Sequence, residues 1–192
     1  MPPTRSQLSH ALREKKIVRF TRPFEAGSVD GYVLALGPEF LMVALIGDGI
    51  QFNGYTCMRL RDVRKLQVPC KYAPFYEATF KKRRHTVLRK PRVNLSGLSN
   101  LLLTASQAFP LVTIHREKVD PDVCQIGRVV GLAKGNLSLL EIGPDAVWDD
   151  EPETYKMREI TRVDFGGDYE DALHLVGGRP ETEKNRKKPR RS

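Results

Sequence analysis

Gly127-Arg-Val-Val-Gly-Leu-Ala-Lys-Gly-Asn-Leu-Ser-Leu-Leu-Glu-Ile-Gly143 is the stretch whose reading decides the fold of this chain. It lies within Gln125–Leu173, where short apolar segments alternate with turn-forming residues, and it predicts strands near Gln125–Leu132 and Leu137–Ile142. The same pattern stands 96 residues upstream, at Gly31-Tyr-Val-Leu-Ala-Leu-Gly-Pro-Glu-Phe-Leu-Met-Val-Ala-Leu-Ile-Gly47. Six of the seventeen positions are identical: Gly31/Gly127, Val33/Val129, Leu36/Leu132, Leu41/Leu137, Ile46/Ile142 and Gly47/Gly143. Unrelated segments would share about one, so the chain reads as one small β-rich unit used twice. The offset becomes 97 at Leu60–Leu66 against Met157–Val163, and 93 at Tyr76–Phe80 against Tyr169–Leu173. Those changes fall at a hairpin tip and after the last strand, where loops absorb insertions.

Working outward, Ser6–Lys16 reads as a short helix with Ser6 as its N-cap and Lys15 and Lys16 at its C-terminal end. Ile17–Arg22 alternates apolar and basic residues and should form a strand stopped by Pro23. Strands are expected at Gly31–Leu36 and Phe40–Ile46, and Asn53-Gly54 carries the signal of a tight hairpin between Ile50–Phe52 and Tyr55–Met58. Between the units a helix is expected from Asn100 with Ser99 as cap, ended by Pro110. The second unit should begin at Leu111–Arg116, add strands at Tyr155–Met157 and Thr161–Phe165, and close with a helix at Asp168–His174. Beyond Gly177-Gly178 the chain runs RPETEKNRKKPRRS, with no apolar residue to bury, and is expected to be disordered. The expected organisation is a helix and first unit over residues 1–80, a basic linker with a short helix over 81–110, a second unit over 111–176, and a basic tail over 177–192.

The net charge of +9 is unevenly spread over the 192 residues. Residues 81–92 hold seven Lys/Arg and no acid, and residues 179–192 hold seven against two. Residues 112–173 hold seven against fourteen, so the second unit is acidic and the basic character belongs to linker and tails. No run approaches the roughly 18 apolar residues of a membrane span, and the N-terminus lacks the apolar core of a secretory signal. Cys57, Cys70 and Cys124 are too scattered for a disulfide framework and form no CxxC pair. A cytoplasmic protein that does not engage membranes is the expectation.

A helix followed by five short strands, with two polar residues before the last strand, describes a small SH3-like or Sm-like barrel. In Leu60-Arg-Asp-Val63 and Met157-Arg-Glu-Ile160 those polar pairs suit a one-turn 3₁₀ bend. Gly127, Val129 and Asn136-Leu-Ser-Leu139, with Tyr155-Lys156 and Ile160-Thr161, resemble the two motifs of the Sm-like family, including its Hfq branch. The resemblance covers about 50 residues of each unit. It implies a mainly β fold of two five-stranded Sm-like barrels in tandem with short flanking helices, and it implies RNA as a ligand. Met157 stands where the Hfq branch carries an RNA-contacting histidine, and neither unit has the Arg-Gly of eukaryotic Sm proteins. RNA binding is therefore assigned to the flanking basic segments.

Catalysis has no support in the residues. His10, His85, His115 and His174 show no metal-ligand spacing and neighbour no nucleophile motif, and no glycine-rich phosphate loop is present. Asp149-Asp-Glu-Pro-Glu153 reads as a solvated acidic loop without calcium-loop spacing. No cofactor and no metal are expected. The candidate nucleic-acid-binding residues are Lys81, Lys82, Arg83, Arg84, Arg89, Lys90, Arg92, Lys184, Arg186, Lys187, Lys188, Arg190 and Arg191. Phe52 and Trp148 occupy matching places beside the two hairpin tips, and each is either core or an anchor for a partner. Two functions follow: a non-enzymatic protein that binds RNA or another polyanion largely without sequence preference, or an adaptor that meets a partner protein through its barrel faces.

Overall fold

The computed structural model describes residues 3–25 and 27–180. The β-branched and aromatic segments of the sequence form ten short strands: β1 (Ile17–Thr21), β2 (Ser28–Leu36), β3 (Phe40–Ile46), β4 (Phe52–Arg59), β5 (Arg64–Gln67), β6 (Val112–His115), β7 (Cys124–Ala133), β8 (Asn136–Glu141), β9 (Glu153–Lys156) and β10 (Arg162–Phe165). Among the described residues four helices accompany them: α1 (Pro3–Arg13), α2 (Ala73–Arg83), α3 (Leu98–Ala108) and α4 (Asp168–Gly177). The fold is mainly β. All ten strands join one antiparallel sheet in the order β5-β1-β2-β3-β4-β10-β6-β7-β8-β9. The sheet is open, with β5 and β9 as its edges.

The order repeats: within each half the fifth strand lies beside the first, and strands two, three and four follow. One helix precedes and one follows the five strands of each half. The halves meet through β4 and β10, in the register Met58↔Arg162, Cys57↔Val163, Thr56↔Asp164 and Tyr55↔Phe165. The expected bends are present as 3₁₀ turns at Leu60–Asp62 and Met157–Glu159. In each, the next residue's amide returns to the first carbonyl, Val63 to Leu60 and Ile160 to Met157, and its side chain is buried.

Three local expectations need correction. Asn53-Gly54 does not form the hairpin tip; the turn is Gly47–Gln51, where the Gly47 amide donates to the Gln51 carbonyl, and both residues lie within β4. The reason is tertiary. Gly54 has φ +67°, and a Cβ there would sit 2.5 Å from the Gly167 nitrogen. Only glycine lets β4 pass so close to the chain leaving β10. Gly54→Ala is accordingly expected to destabilise the protein by about 2 kcal/mol or more, from left-handed strain and that overlap, read as a lower urea midpoint at unchanged slope. Second, α1 begins by Pro3, so Ser6 is an interior residue and not its cap. Third, α3 starts after Gly97, two residues ahead of the Asn100 start, and no side chain caps it.

The largest core cluster does not belong to either half. It gathers Phe40, Met42 and Cys57 from the first, Ile114, Leu139, Val163 and Phe165 from the second, and Leu101, Leu102 and Ala105 from α3. Helix α3 thus closes the shared core. The chain before it is anchored too, with Val93 and Leu95 buried in the same cluster. Among the described residues, no helix is long and apolar enough to cross a membrane.

Candidate nucleic-acid interface

The basic run starts in a helix. Phe80 and Ala73 bury one side of α2, and Lys81, Lys82 and Arg83 form its exposed last turn. Cations there complement the negative end of the helix dipole. The Arg83 guanidinium also donates to the Gly49 carbonyl at 2.7 Å, tying the helix end to the β3–β4 turn. Arg84 caps the helix in the left-handed region, φ 56°, a place where glycine is favoured. Its amide reaches the Lys81 carbonyl, and the His85 amide reaches that of Phe80 at 2.9 Å. Arg84→Gly is therefore expected to stabilise the fold by about 0.5–1 kcal/mol by relieving that conformation. The same change should weaken polyanion binding by about fivefold at 0.1 M salt, the worth of one phosphate contact. Thermal melts and fluorescence anisotropy on one preparation check both signs.

Past Thr86 the chain is held against the sheet rather than hanging free. Tyr55 donates its hydroxyl to the Arg89 carbonyl at 2.8 Å, and Val93 and Leu95 follow into the core. Arg89, Lys90 and Arg92 remain exposed. Among the described residues none of the seven cations of 81–92 pairs with a carboxylate. Lys184, Arg186, Lys187, Lys188, Arg190 and Arg191 lie outside the described residues, as does the expected disorder of most of the tail.

Phe52 comes to the basic segment, and Trp148 does not. Phe52 is half-buried and stacks on Phe80 with centroids 4.7 Å apart; Tyr32 packs behind it at 6.1 Å, and His85 lies 6.3 Å beyond Phe80. Phe52 shares an open pocket of about 430 Å³ with Gln51, Arg84, His85, Thr86 and Asp168. Trp148, also half-buried, donates its indole N–H to the Gly177 carbonyl at 3.2 Å and packs beside Leu111, Ile142 and Leu173. It fastens the end of α4.

A second cationic feature was not anticipated from the sequence. Arg5 of α1, Arg59 at the end of β4, Arg61 in the 3₁₀ turn and Arg64 of β5 line a cleft of about 780 Å³, with Glu39 as its one carboxylate. Backbone carbonyls hold these guanidinium groups: Arg5 donates to Gly37 at 2.8 Å and Arg64 to Val63 at 2.9 Å. Arg59 lies over the Phe40 ring and pairs with Glu39 at 2.9 Å. At the matching bend of the second half Arg59, Arg61 and Arg64 are answered by Lys156, Arg158 and Thr161, so this concentration of arginine belongs to the first half. These four arginines are spread over sixty residues and form no run. The cluster Arg59, Arg61, Arg64 around an expected bend was the available signal.

Part of the acidity of the second half is taken up by pairs within it and across to the first half. Glu117 pairs with Arg22 at 2.6 Å, Glu159 with Arg116 at 3.8 Å, and Asp164 with Arg162 and with His115 at 3.0 Å. Glu170 accepts the Thr113 hydroxyl, and Glu141 that of Tyr155. Burial pushes the Glu141 carboxyl up against the opposing Tyr155 bond, and nearby Asp149 and Glu153 add to the rise. Among the described residues the four carboxylates of Asp149–Glu153, which leads into edge strand β9, form no ion pair, while the arginine cleft adjoins the other edge strand, β5. Of the cysteines, Cys57 and Cys70 are buried, and burial raises the Cys57 thiol well above its ordinary range.

Comparison of the chain with protein-family models, with curated proteins and with solved structures finds no match.

Proposed function

We propose that this is a non-enzymatic protein that binds single-stranded nucleic acid, RNA foremost, chiefly through phosphate contacts. The observation that carries the reading is the α2–linker surface, where seven exposed cations, without carboxylate partners among the described residues, ride on backbone fixed by packing. The backbone that carries those groups is held before a ligand arrives, which lowers the entropic cost of presenting their charge. The arginine cleft adds a second positive surface. Each five-stranded half is read as a small Sm-like or SH3-like barrel. The repeated strand order, the preceding helix and the 3₁₀ turn before each fifth strand support that reading.

A partner protein is the second reading, and one observation favours it. Val147, Leu175 and Val176 are 61%, 85% and 76% exposed, and the Trp148–Gly177 bond brings their segments together. Purification with and without nuclease separates the two. Nucleic acid that co-purifies and is removed by nuclease or high salt supports the first; a stoichiometric protein that stays bound after nuclease, with no nucleic acid in the untreated sample, overturns it.

A further inference from the structure

We propose that the pocket formed by Gln51, Phe52, Arg84, His85, Thr86 and Asp168 is a nucleobase subsite selective for guanine. This rests on the nucleic-acid reading and adds base selectivity to a surface otherwise expected to read only phosphate. Three features converge. First, Tyr32, Phe52, Phe80 and His85 form a ladder of neighbouring rings that ends at the exposed His85 imidazole, a platform on which a base can stack. Second, Arg84, held by its left-handed cap, puts a guanidinium at the same pocket, next to Lys81–Arg83, where the phosphates of a stacked nucleotide would lie. Third, the second half supplies one exposed carboxylate, Asp168, the first residue of α4.

Asp168 is fixed by its own amide, which donates to the Asn53 side-chain oxygen at 2.8 Å. Its carboxylate accepts only a long 3.4 Å bond from the Gln51 amide and has no cationic partner among the described residues. A carboxylate offers two parallel acceptors. Guanine alone among the four bases presents two adjacent donors, N1–H and N2–H₂, on its pairing edge. Adenine, cytosine and uracil each set an acceptor beside their donor and would face the carboxylate with a lone pair. The Gln51 amide and the Arg84 guanidinium supply donors for guanine O6. Arg84 and Asp168 come from different halves of the chain, so the subsite exists only because the duplicated units share one sheet.

The test uses the full chain and three labelled RNAs, U9, U4AU4 and U4GU4, read by fluorescence anisotropy at low and moderate salt. The wild type should bind U4GU4 about tenfold more tightly than the other two, the worth of one paired base edge. Asp168→Asn should bring U4GU4 to the level of U9. His85→Ala, at an exposed side chain that does not threaten the fold, should weaken all three RNAs by about fivefold or more through lost stacking. Equal affinities for the three RNAs with steep salt dependence would overturn the guanine subsite and leave phosphate binding standing. Full guanine preference in Asp168→Asn would remove it from this pocket. Absence of binding to any RNA at low salt would overturn both readings together.

Discussion

Arg22→Met should destabilise the protein by about 3–5 kcal/mol, the cost of removing one member of a buried ion pair and leaving the other uncompensated. The Arg22 side chain is 0% exposed and that of Glu117 is 6% exposed. Their contact is bidentate, 2.7 Å to one carboxylate oxygen and 2.6 Å to the other. Arg22 follows β1 and Glu117 follows β6, so the pair ties corresponding corners of the two halves. Thr161 also donates to Glu117, and Glu25 lies at 3.2 Å from Arg22. Arg22 Nε has no partner among the described groups, so its desolvation is not fully repaid even in the native state. The double replacement Arg22→Met with Glu117→Leu should therefore lose much less than the single one. Urea midpoints of the four proteins in that cycle decide it: additive losses would mean the two groups are not coupled.

The same network sets the response to acid. At Glu117, burial alone would raise the carboxyl, but the Arg22 and Thr161 hydrogen bonds prevail and its affinity for protons falls. At Asp164, burial is again opposed, by the Arg162 charge and by His115, and the carboxyl is held well below the usual range. Both folded-state values lie below those of the unfolded chain, near 4. The stability they contribute is fully present above about pH 4–5 and is lost as pH falls below it. Urea midpoints should thus be level from these groups at neutral pH and fall between pH 4 and 3. A midpoint that climbs over that interval would contradict the depressed carboxyls.

How much of this was legible in the chain can be judged from particular residues. The repeated strand order was readable because it rests on glycines and apolar positions that strands require, Gly31 and Gly127 above all: a Cβ at either would fall 2.2 Å from the facing carbonyl oxygen. The 3₁₀ turns were readable because two polar residues between apolar ones have few other uses at a bend. Asn53-Gly54 was misread because a dipeptide signal reports local turn chemistry, whereas Gly54 answers to Gly166-Gly167, more than a hundred residues away. The shared core was hidden for a similar reason. Nothing in Leu98–Ala108 says that its leucines will meet strands of both halves. At the candidate site, the charge run was plain, but its neighbours were not: Gln51 and Asp168 are separated by 117 positions. That Phe52 and Trp148 differ in role follows from what packs on them, Tyr32 and Phe80 in one case and the end of α4 in the other.

Replacing Lys81, Lys82, Arg83 and Arg84 together by glutamine is expected to lower affinity for single-stranded RNA several hundredfold at 0.1 M salt. Each phosphate neutralised on a single strand contributes about 0.7 to the slope of log affinity against log salt, so four contacts contribute roughly 3. The quadruple variant should therefore show a slope shallower by about 3, and its curve should approach the wild-type curve as salt nears 1 M. Folding is not at risk from the charges themselves, because all four side chains are exposed and only Arg83 makes a described side-chain hydrogen bond, to Gly49 and Ile50 carbonyls. Equal melting temperatures for wild type and variant would document that. The arginine cleft supplies the contrast. Arg61→Gln with Arg64→Gln alters two guanidinium groups that neighbour Glu39, on elements other than α2. If both surfaces contact one strand, the two sets of losses add in slope; if only the α2–linker surface does, the cleft variant keeps the wild-type slope. A quadruple variant that binds as tightly as wild type with an unchanged slope would show that the α2–linker cations do not contact the nucleic acid, and the proposed interface would be wrong.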